Sequence, residues 1–556
     1  MYSDNELVRE VVALAAAHGI RHAVICAGSR NAPLAHSFAA CPDIETLQAV
    51  DERSAAFEAL GMAEALRKPV LVCVTSGSAL LDASPAIAEA FYQEIPLVLV
   101  SADRPSAWID QRDGQTVHQP GALANFVRSS VQLPESGDLR YANRLINMAL
   151  LACRGPVPGP VHINVPIAEP FFSCRTPDLP KPRTLAVHRN KIYAMYADAI
   201  GEICESRRIL IVAGQMPADE ESAMRLEDMQ YGGCMTVAEH LANIPGSAKV
   251  MSLPDIILSQ ADEESLKLMA PDLVITIGGH IVSKRLKQFL RAQDNFIHWH
   301  VGLDETSAPD LFFHLTRLIR TDTRQFLHSL ANNLLSRPSS DSRFSKAWRE
   351  GLQRALKHVE AFSKREKTEL TDVDVMQAFL KLVPERSFLH LANSSPVRNA
   401  LFFPAPKNCQ FFCNRGVNGI DGSLSAALGN ARIVRGKVFC LIGDLSFFYD
   451  SNALWRNDIP KNLRILLFNN QGGNIFRTLP GLDSPFRDTY IAGVNTFSAR
   501  AQAEQAGLAY RSVSSLKELP EALAAFAGSE APMLLEVFTD ADANAAAQKL
   551  LTSPAR

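Results

Sequence analysis

Residues 438–476 read VFCLIGDLSFFYDSNALWRNDIPKNLRILLFNNQGGNIF. The apolar run 438–442 ends in Gly443-Asp444, and a second apolar run, 465–468, ends in an Asn-Asn-Gln-Gly-Gly turn. Short aliphatic runs bounded by turn residues are typical of buried parallel strands, and the spacing of residues 445–457 predicts a helix between them. The stretch therefore predicts a βαβ unit with polar residues at the carboxyl ends of both strands, where open α/β sheets bind ligands.

The polar residues at these strand ends suit a magnesium ion and a diphosphate. Asp444 offers a carboxylate oxygen, Asn470 an amide oxygen and Gly472 a backbone carbonyl. A small set of oxygen ligands is typical of Mg²⁺, which keeps waters and binds through phosphates. Ser446 and the free N–H groups at the start of the predicted helix favour an anion. The alternative is a strand that happens to end in Gly-Asp, followed by an unrelated turn; the second strand end favours the site.

Composition excludes several classes of protein. The chain has 556 residues, of which 47% are hydrophobic and 21% charged, with a net charge of −3. No basic stripe suggests nucleic acid. The ten cysteines form no C-x-x-C pair, which indicates reduced thiols. Because the first 20 residues have no basic region or cleavage site, and no long apolar run follows, we expect a cytoplasmic protein without membrane insertion.

Apolar strands with polar ends alternate with helices along the whole chain. This alternation predicts an α/β protein built from doubly wound parallel sheets. A proline-rich stretch at 176–183 and a polar stretch at 336–343 indicate linkers. We therefore expect three domains, at 1–184, 185–345 and 346–556, the last with a leading helix.

The first and third domains are similar in pattern. Each contains an apolar strand with a cysteine, a turn with glycine, a helix, an Ile-Pro pair and a second apolar strand. When Cys73 is aligned with Cys440, Gly77 falls on Asp444, so that only the third domain carries the metal carboxylate. The pattern predicts a duplicated fold, although any two βαβ units share these features.

Gly443-Asp444 followed by Asn470 resembles the diphosphate motif of thiamine-diphosphate enzymes. That superfamily has a pyrimidine-binding, a middle and a pyrophosphate-binding domain, and its first and third domains share a fold. The resemblance implies thiamine diphosphate with Mg²⁺ or Mn²⁺ as cofactors. It also implies that Glu52 is catalytic, because a carboxyl group at N1′ of the aminopyrimidine promotes the tautomer whose 4′-amino group takes the C2 proton. Alternatively, Glu52 is only a charge at the start of the helix 54–66.

Further motifs resemble one branch of that superfamily, the 2-succinyl-5-enolpyruvyl-6-hydroxy-3-cyclohexene-1-carboxylate (SEPHCHC) synthases of menaquinone biosynthesis. They occur in order through all three domains: CAGSRNAPL (26–34), VDERSAAF (50–57), VTSGSAL (74–80), SADRP (101–105), QTVHQPG (115–121), SKRL (283–286), NSSPVR (393–398), NRGVNGIDG (414–422), GDLS (443–446) and NNQGGNIF (469–476).

This resemblance implies a transferase (EC 2.2.1.9) that decarboxylates 2-oxoglutarate and adds the resulting succinic semialdehyde carbanion to isochorismate in a 1,4-addition. It also implies a homodimer or a dimer of dimers. Each active site would lie between the first domain of one chain and the third domain of another.

The matched motifs carry the family's site residues onto this chain. The implied cofactor contacts are Glu52, Thr75, Ser394, Ile420, Gly443, Asp444, Leu445, Ser446, Asn470, Gly472 and Gly473, with the metal held by Asp444, Asn470 and Gly472. Both substrates are dianions, for which guanidinium groups are suited. The implied substrate contacts are Ser29, Arg30, Arg104, Gln115, Lys284, Arg285, Ser394, Arg398, Arg415, Ile475, Phe476 and Leu479.

Ordinary structural roles remain open for several of these residues. A single arginine is more often a partner in a surface ion pair, and Ile420, Ile475 and Phe476 could be core residues. Gln471 stands where a third asparagine is expected, which leaves Asn469 or Asn470 as the metal ligand; the Gly-Gly pair favours Asn470.

Other departures concern the substrate side. Gly114 stands where the family commonly has asparagine, so one polar contact is expected to be missing. Leu445, in place of the superfamily's usual glycine, agrees with this branch. His118 and His280 lie near substrate motifs, and neither is assigned as a base.

Two other functions fit parts of the sequence. The first is another thiamine-diphosphate enzyme, such as an acetohydroxyacid synthase or a pyruvate oxidase, which often carries a flavin. The middle domain shows no clear G-x-G-x-x-G fingerprint for such a dinucleotide. The second is a non-catalytic binding module on the same fold, against which the presence of Glu52 and Asp444 counts.

Overall fold

The computed structural model describes residues 1–135, 139–185, 187, 197–229, 234–244, 250–334, 341–478 and 481–554. Within these ranges the chain forms three six-stranded sheets. The paired strands of each sheet run parallel, as in β3 with β4 and β15 with β16. The predicted α/β architecture of doubly wound parallel sheets is therefore confirmed. No helix in this part of the chain is both long and apolar enough to span a bilayer.

The first domain has the strand order β2-β1-β3-β4-β6-β5. Its strands are β1 (His22–Cys26), β2 (Glu45–Ala49), β3 (Val70–Val74), β4 (Leu97–Asp103), β5 (Ser129–Gln132) and β6 (Val161–Pro166). Its helices are α1 (Glu6–Ala17), α2 (Ala32–Ala40), α3 (Glu52–Leu66), α4 (Ser78–Asp82), α5 (Ser84–Tyr92) and α6 (Leu139–Cys153). The Asn5 side chain caps α1 by accepting from the N–H groups of Leu7 and Val8.

The middle domain has the strand order β12-β11-β10-β7-β8-β9. Its strands are β7 (Ile209–Ala213), β8 (Cys234–Ala238), β9 (Val250–Met251), β10 (Leu273–Ile277), β11 (Ile297–Val301) and β12 (Leu315–Ile319). Its helices are α7 (Ala197–Glu205), α8 (Glu220–Met229), α9 (Pro254–Ser259), α10 (Glu263–Met269), α11 (Lys284–Arg291) and α12 (Thr323–Leu334).

The third domain has the strand order β14-β13-β15-β16-β18-β17. Its strands are β13 (Phe388–Leu391), β14 (Gln410–Phe412), β15 (Val438–Gly443), β16 (Leu463–Asn469), β17 (Ala509–Val513) and β18 (Met533–Phe538). Its helices are α13 (Ser342–Lys364), α14 (Asp372–Leu382), α15 (Ser395–Ala400), α16 (Ser423–Ile433), α17 (Asp444–Tyr449), α18 (Arg500–Gln505), α19 (Leu519–Gly528) and α20 (Ala541–Thr552).

The helix predicted at 445–457 is shorter in the structure. It ends at Tyr449 as α17, and a separate 3₁₀ turn follows at Ser451–Leu454. Asp450, which lies between them, is fully buried and accepts hydrogen bonds from the Ser425 N–H (2.8 Å) and Oγ (2.7 Å). This contact with α16 replaces the helical continuation that the local spacing favours.

The first and third sheets have the same topology, since position by position their strand orders match. The cysteine alignment predicted for them is wrong by one residue. Cys73 packs in the core that contains Val8 of α1, whereas Cys440 packs in the core that contains Leu424 of α16. Because neighbouring residues of a strand face opposite sides, the counterpart of Cys73 is Leu441. Ser76, and not Gly77, is then the counterpart of Asp444.

The predicted boundary between residues 345 and 346 falls inside α13. The start of this helix packs on the middle domain, where Trp348 Nε1 donates to the Met269 carbonyl at 3.1 Å. Its end reaches the third domain, where Arg365 pairs with Asp374 of α14 at 2.7 Å. The helix therefore joins the two domains, and the domain limits themselves stay predictions.

The backbones of helices α3 and α16, one from each repeat, approach each other very closely. A Cβ atom added to Gly61 of α3 would lie 2.0 Å from the Ala426 carbonyl oxygen, and one added to Gly429 of α16 would lie 2.0 Å from the Glu58 carbonyl oxygen. The two contacts are related by the same sequence separation of 368 residues (429 − 61 and 426 − 58). The repeats therefore meet around a pseudo-twofold axis.

We predict that Gly61→Ala destabilises the chain by about 1–3 kcal/mol, since the new methyl group forces the two helices apart. The measurement is urea unfolding followed by tryptophan fluorescence. Gly528→Ala is the control, because a Cβ atom at that position meets nothing within 4 Å. Identical unfolding midpoints for the two variants would contradict this account of the helix contact.

Candidate active site

Asp444 is the first residue of α17 and follows β15 directly. Its side chain is buried, and burial raises its pKa to about 7. Its Oδ2 accepts a hydrogen bond from Asn495 Nδ2 at 3.2 Å, and Asp372 adds a second negative charge nearby. A buried carboxylate beside another carboxylate fits a cation as its missing partner.

Asn470 and Asn469 differ in what their side-chain oxygens do. Asn470 Nδ2 donates to Asp372 Oδ2 at 2.9 Å, while its Oδ1 is buried and has no hydrogen-bond partner within the described ranges. Asn469 donates to Glu536 Oε1 at 2.7 Å, and its own Oδ1 accepts from the Gln471 N–H at 3.2 Å. Asn470 is therefore the asparagine with a free oxygen.

The turn after Asn470 has a constrained backbone. Gln471 has φ 63° and Gly472 has φ 148°, and a Cβ atom on Gly472 would lie 3.0 Å from the Ala492 carbonyl oxygen. The Gly473 N–H donates to that same carbonyl at 2.6 Å. The Gln471 side chain is exposed, which explains why glutamine is tolerated at the position where asparagine was expected.

The donor set fits a hard divalent cation. It combines one carboxylate with an amide oxygen and a backbone carbonyl, which suits an ion that keeps several waters. For the part of the chain that the structure describes, no cluster of three or more His, Cys, Asp or Glu side chains is placed to hold a metal. The orphaned Asn470 Oδ1 is the observation that supports the fit.

Ser446 ties α17 to the loop that carries Ile420, since its Oγ donates to the Ile420 carbonyl. Ile420 is 39% exposed, which excludes the core role that was an alternative for it. Leu445 is half-buried and lies 4.0 Å from the position of a Cβ atom on Gly493. Ser446 therefore fixes this loop beside the first turn of α17, with the Ile420 side chain partly exposed.

Glu52 is the first residue of α3, which begins two residues earlier than predicted. The Asp51 side chain caps this helix by accepting from the Ser54 N–H at 2.7 Å. Glu52 is half-buried, and burial raises the pKa of its carboxyl group. Its neighbour Arg53 donates to the Tyr449 carbonyl and stacks on the Tyr449 ring at 4.5 Å, so the first turn of α3 packs against the end of α17.

Glu52 and Ile420 occupy equivalent positions in the two repeats. They are separated by 368 residues (420 − 52), as are Gly61 and Gly429 at the helix contact. One repeat therefore has a carboxyl group at the first residue of its helix, and the other has an aliphatic side chain in the loop three residues before its helix.

Thr75 and its surroundings supply unpaired hydroxyl groups. The Oγ1 of Thr75 and the Oγ of Ser76 are buried and accept or donate no hydrogen bond within the described residues. A Cβ atom on Gly28 would lie 2.5 Å from Thr75 Cβ, so only glycine fits there. Ser29 is exposed at the adjoining strand end.

Arg30 and Arg104 form a first group of cations. Arg30 is buried, donates to the Ile167 carbonyl at 2.9 Å and pairs with Glu169 at 3.0 Å. Arg104 lies 3.6 Å from the same Glu169 carboxylate and 3.5 Å from Asp113. The two guanidinium groups therefore share one exposed carboxylate.

The loop that carries Gln115 is held by a residue that the sequence analysis did not assign. Gln119 is fully buried, accepts from the Gly77 N–H at 2.8 Å and donates to Asn164 Oδ1 at 2.8 Å. Gln115 itself has φ 56° and lies against Gly77. Gly114 has open space around it, in agreement with a missing side-chain contact.

Arg398 and Arg415 form a second group. Arg415 is buried and donates to Asn393 Oδ1 at 3.0 Å, while Arg398 donates to the Ser394 carbonyl at 2.6 Å. Burial, and then the charge of Arg415, lowers the pKa of Arg398. Ser394 has φ 73° and ψ −127°, a strained conformation that is common at functional sites.

Lys287 belongs to this second group and was missed in the sequence. Burial lowers the pKa of Lys287; the charge of Glu239 opposes this shift, and the charges of Arg415 and Arg398 add to it. It lies on α11 one turn beyond Lys284, which is exposed. The helical spacing from Lys284 was the signal that could have identified it.

The remaining predicted substrate residues lie in different surroundings. Arg285 donates to the Thr552 carbonyl at 3.0 Å, near the end of α20. Ile475 and Phe476 lie in a 3₁₀ turn and are half-buried, so neither is a core residue. Asn474 follows the Gly-Gly pair and is buried. Neither its side-chain oxygen nor its side-chain nitrogen has a hydrogen-bond partner among the described residues. Leu479 lies outside the described residues.

Glu89 connects the first domain to the loop that carries Arg415. It is buried on α5, and its carboxylate accepts from the N–H groups of Gly416 (2.6 Å) and Val417 (2.7 Å). Gln93 extends the link, donating to Glu89 at 2.5 Å and accepting from Gln215 of the middle domain at 2.7 Å. All three domains therefore contribute to the position of this loop.

Two cavities lie at opposite ends of the first sheet. One of about 610 Å³ is lined by Asp103, Arg104 and Gln132, at the carboxyl ends of β4 and β5. A larger one, of about 1080 Å³, is lined by His22, Pro69 and Pro96, at the amino ends of the strands. The first cavity lies at the end where α/β sheets bind ligands.

Models of three protein domains match the chain in order. "Thiamine pyrophosphate enzyme, N-terminal TPP binding domain" matches residues 6–122, "Middle domain of thiamine pyrophosphate" matches 185–391, and "Thiamine pyrophosphate enzyme, C-terminal TPP binding domain" matches 394–537. The first match ends before β5, and the middle match extends beyond the second sheet, through α13 and α14, to β13 of the third sheet.

Curated relatives match over nearly the whole chain. A protein of Phocaeicola vulgatus named 2-succinyl-5-enolpyruvyl-6-hydroxy-3-cyclohexene-1-carboxylate synthase is 41% identical over 551 residues, covering 97% of this chain and 96% of the relative. Proteins with the same name from Bacteroides thetaiotaomicron and Desulfotalea psychrophila are 41% and 38% identical, covering 98% and 94% of this chain and 98% and 96% of the relatives.

We predict that Glu89→Gln loosens the loop around Arg415. A glutamine offers one acceptor oxygen in place of two, which leaves a buried N–H unpaired and lowers local stability by about 1–3 kcal/mol. Trypsin cleavage after Arg415 in the folded protein should then be about ten-fold or more faster, because such cleavage follows the population of the open form.

The matched control is Glu94→Gln, at an exposed position just beyond the same helix. It should leave the cleavage rate after Arg415 unchanged, as measured by mass spectrometry of the fragments. Equal rates for both variants would show that Glu89 does not hold the loop.

Proposed function

The chain belongs to the 2-succinyl-5-enolpyruvyl-6-hydroxy-3-cyclohexene-1-carboxylate synthase family of thiamine-diphosphate enzymes, and we propose that it catalyses the reaction of that name. In this reaction, 2-oxoglutarate loses CO₂ and its remaining carbon skeleton is joined to isochorismate, for menaquinone biosynthesis. The observation that carries the proposal is the 41% identity over 97% of the chain, which includes both repeats. The family resemblance that the sequence motifs predicted is confirmed.

Thiamine diphosphate would supply the carbon nucleophile and the electron sink for the loss of CO₂. We propose that Asp444, Asn470 and the Gly472 carbonyl would hold Mg²⁺ or Mn²⁺, which would neutralise charge on the diphosphate. The buried, unpaired Asn470 Oδ1 supports this assignment. Asn469 has its side-chain oxygen occupied by the Gln471 N–H, which favours Asn470 as the ligand. The further cofactor contacts are Thr75, Ser394, Ile420, Gly443, Leu445, Ser446 and Gly473.

Glu52 would hold a proton at the aminopyrimidine ring of the cofactor. Burial raises the pKa of its carboxyl group, so the group keeps its proton to higher pH than an ordinary glutamate. A carboxyl group in that state can donate a hydrogen bond to a ring nitrogen. Its position at the open first turn of α3 leaves room for a ligand.

The two cation groups would bind the carboxylates of the dianionic substrates. Arg30 and Arg104, with Ser29 and Gln115, belong to the first domain, and Arg398, Arg415 and Ser394 belong to the third. The middle domain would contribute Lys284 and Arg285 from α11. Ile475, Phe476 and Leu479 would form an apolar wall around the bound substrate.

We further propose that two copies of the chain complete each site, in a homodimer or a dimer of dimers. Several large apolar side chains of the first and third domains are exposed, which supports a covering partner: Val50, Leu81, Ile420, Tyr449 and Trp455. Under this arrangement Glu52 of one chain would serve the metal site of the other. The ten free thiols support a cytoplasmic location, as expected for a reducing compartment.

The proposed activity is tested with purified protein, 2-oxoglutarate and isochorismate. We expect isochorismate to be consumed only when thiamine diphosphate and Mg²⁺ or Mn²⁺ are both present, and EDTA to abolish the reaction. Loss of isochorismate is followed by absorbance, and the product by mass spectrometry. When pyruvate is added to the same assay, its consumption without loss of isochorismate would instead indicate an acetohydroxyacid synthase-like enzyme.

We predict that Glu52→Gln lowers kcat by about 10²–10⁴-fold, because the proton is no longer held at the ring nitrogen. Exchange of the cofactor C2 proton, followed by NMR, should slow by a similar factor, while the melting temperature stays unchanged. Glu45→Gln, at an exposed position of β2, is the control. Turnover near that of the wild type at saturating cofactor would exclude the proposed role of Glu52.

A further inference from the structure

Asp372 lies beside the proposed metal ligands but belongs to no motif of the sequence. It is the first residue of α14 and is 1% exposed. Its Oδ2 accepts from Asn470 Nδ2 at 2.9 Å, and its Oδ1 accepts from Thr539 Oγ1 at 2.7 Å. Its backbone N–H donates to Asn544 Oδ1 at 2.7 Å. Both carboxylate oxygens are therefore fixed in direction.

This contact determines which atom of the Asn470 amide is available. Both oxygens of the Asp372 carboxyl group accept hydrogen bonds, so the group faces the NH₂ donor of the amide. The amide oxygen then points away from Asp372, where it is buried without a partner in the described ranges. A flipped amide would place its oxygen against the carboxylate and its NH₂ group toward a cation, which is unfavourable at both ends.

An ordinary helix-terminal role does not account for these contacts. Thr371 already caps α14 by accepting from the Asp374 N–H, and Asp374 supplies a negative charge in the first turn. Asp374 in turn pairs with Arg365 at 2.7 Å and Lys367 at 2.9 Å. Asp372 instead has its side chain directed at Asn470 and Thr539.

We propose that Asp372 is a positioning residue that orients the Asn470 amide with its oxygen toward the bound cation and adds negative charge behind it. The inference rests on the proposed function, in which Asp444 and Asn470 hold the metal. Groups that orient metal ligands from behind commonly change metal affinity 10–100-fold when they are removed.

The test is a Mg²⁺ titration of thiamine-diphosphate binding, followed by isothermal calorimetry and tryptophan fluorescence. Asp372→Asn offers one oxygen and one NH₂ group, so it cannot accept from both Asn470 and Thr539. We expect the Mg²⁺ concentration for half-maximal cofactor binding to rise about 10–100-fold. Excess Mg²⁺ should restore cofactor binding, which it would not do for a misfolded protein.

Asp374→Asn is the matched control, since Asp374 is equally buried on the same helix. It should lower the melting temperature through loss of its ion pairs without changing the Mg²⁺ midpoint. An unchanged midpoint for Asp372→Asn would overturn the inference. If the wild type itself binds thiamine diphosphate without any need for Mg²⁺, the proposed metal site fails instead.

The double variant Asp372→Asn with Asn470→Asp provides a second measurement, including the case in which the single variant does not fold. It keeps the charge and the hydrogen bond, because the amide introduced at position 372 would donate to the new carboxylate and still accept from Thr539. An aspartate at position 470 presents oxygen in either orientation. We expect its Mg²⁺ midpoint to return to within about ten-fold of the wild type; a folded double variant whose midpoint stays more than about ten-fold above the wild type would overturn the inference.

Discussion

The contact between α3 and α16 is the constraint on which the rest of the structure depends. Gly61 and Gly429 each lie against a backbone carbonyl of the other helix, at a distance that leaves no room for a side chain. Arg432 and Arg456 both pair with Glu58 at 2.5 Å and strengthen the same junction. Because these helices begin near Glu52 and Ile420, their packing sets the positions of both repeats' site residues. The packing of α3 against α16 therefore fixes the two repeats relative to each other, with Glu52 and Ile420 on opposite sides of the pseudo-twofold axis.

The polar groups around that support are incompletely paired within one chain. Asn470 Oδ1, Thr75 Oγ1 and the Asn474 amide are buried without hydrogen-bond partners in the described ranges. Each unpaired buried group costs about 1–3 kcal/mol. Such groups persist where a ligand completes them, since natural sequences depart from full internal consistency at functional sites. These three groups lie in the two repeats, whose sequences match the N-terminal and C-terminal domains of thiamine pyrophosphate enzymes.

Sequence patterns identified most of the fold because strand and helix periodicities are local properties. The two strands of residues 438–476 and their polar ends follow from patterns of fewer than about ten residues, and the duplicated topology follows from the repeated order of such patterns. Two expectations failed where distant contacts decide. The predicted helix ends at Tyr449 because Asp450 bonds to Ser425, and the cysteine alignment fails because sequence similarity does not reveal which face of the sheet Cys73 occupies. The family motifs named the candidate ligands, but not Gln119, Lys287 or Glu89.

The sequence by itself determined the class of fold, the family and the donor types at the two strand ends, because each of these depends on residue identities and on short spacings along the chain. Only the tertiary structure decided that Asn470, rather than Asn469, has a free oxygen. That choice depends on Asp372, 98 residues away, and on Glu536, 67 residues beyond Asn469. Hydrogen bonds between distant segments have no local signature, since an aspartate at a helix start has the same pattern whether it faces solvent or an amide. The sequence of residues 438–476 therefore specifies which donor groups lie at the two strand ends. The elements packed around these residues determine how those donor groups are oriented.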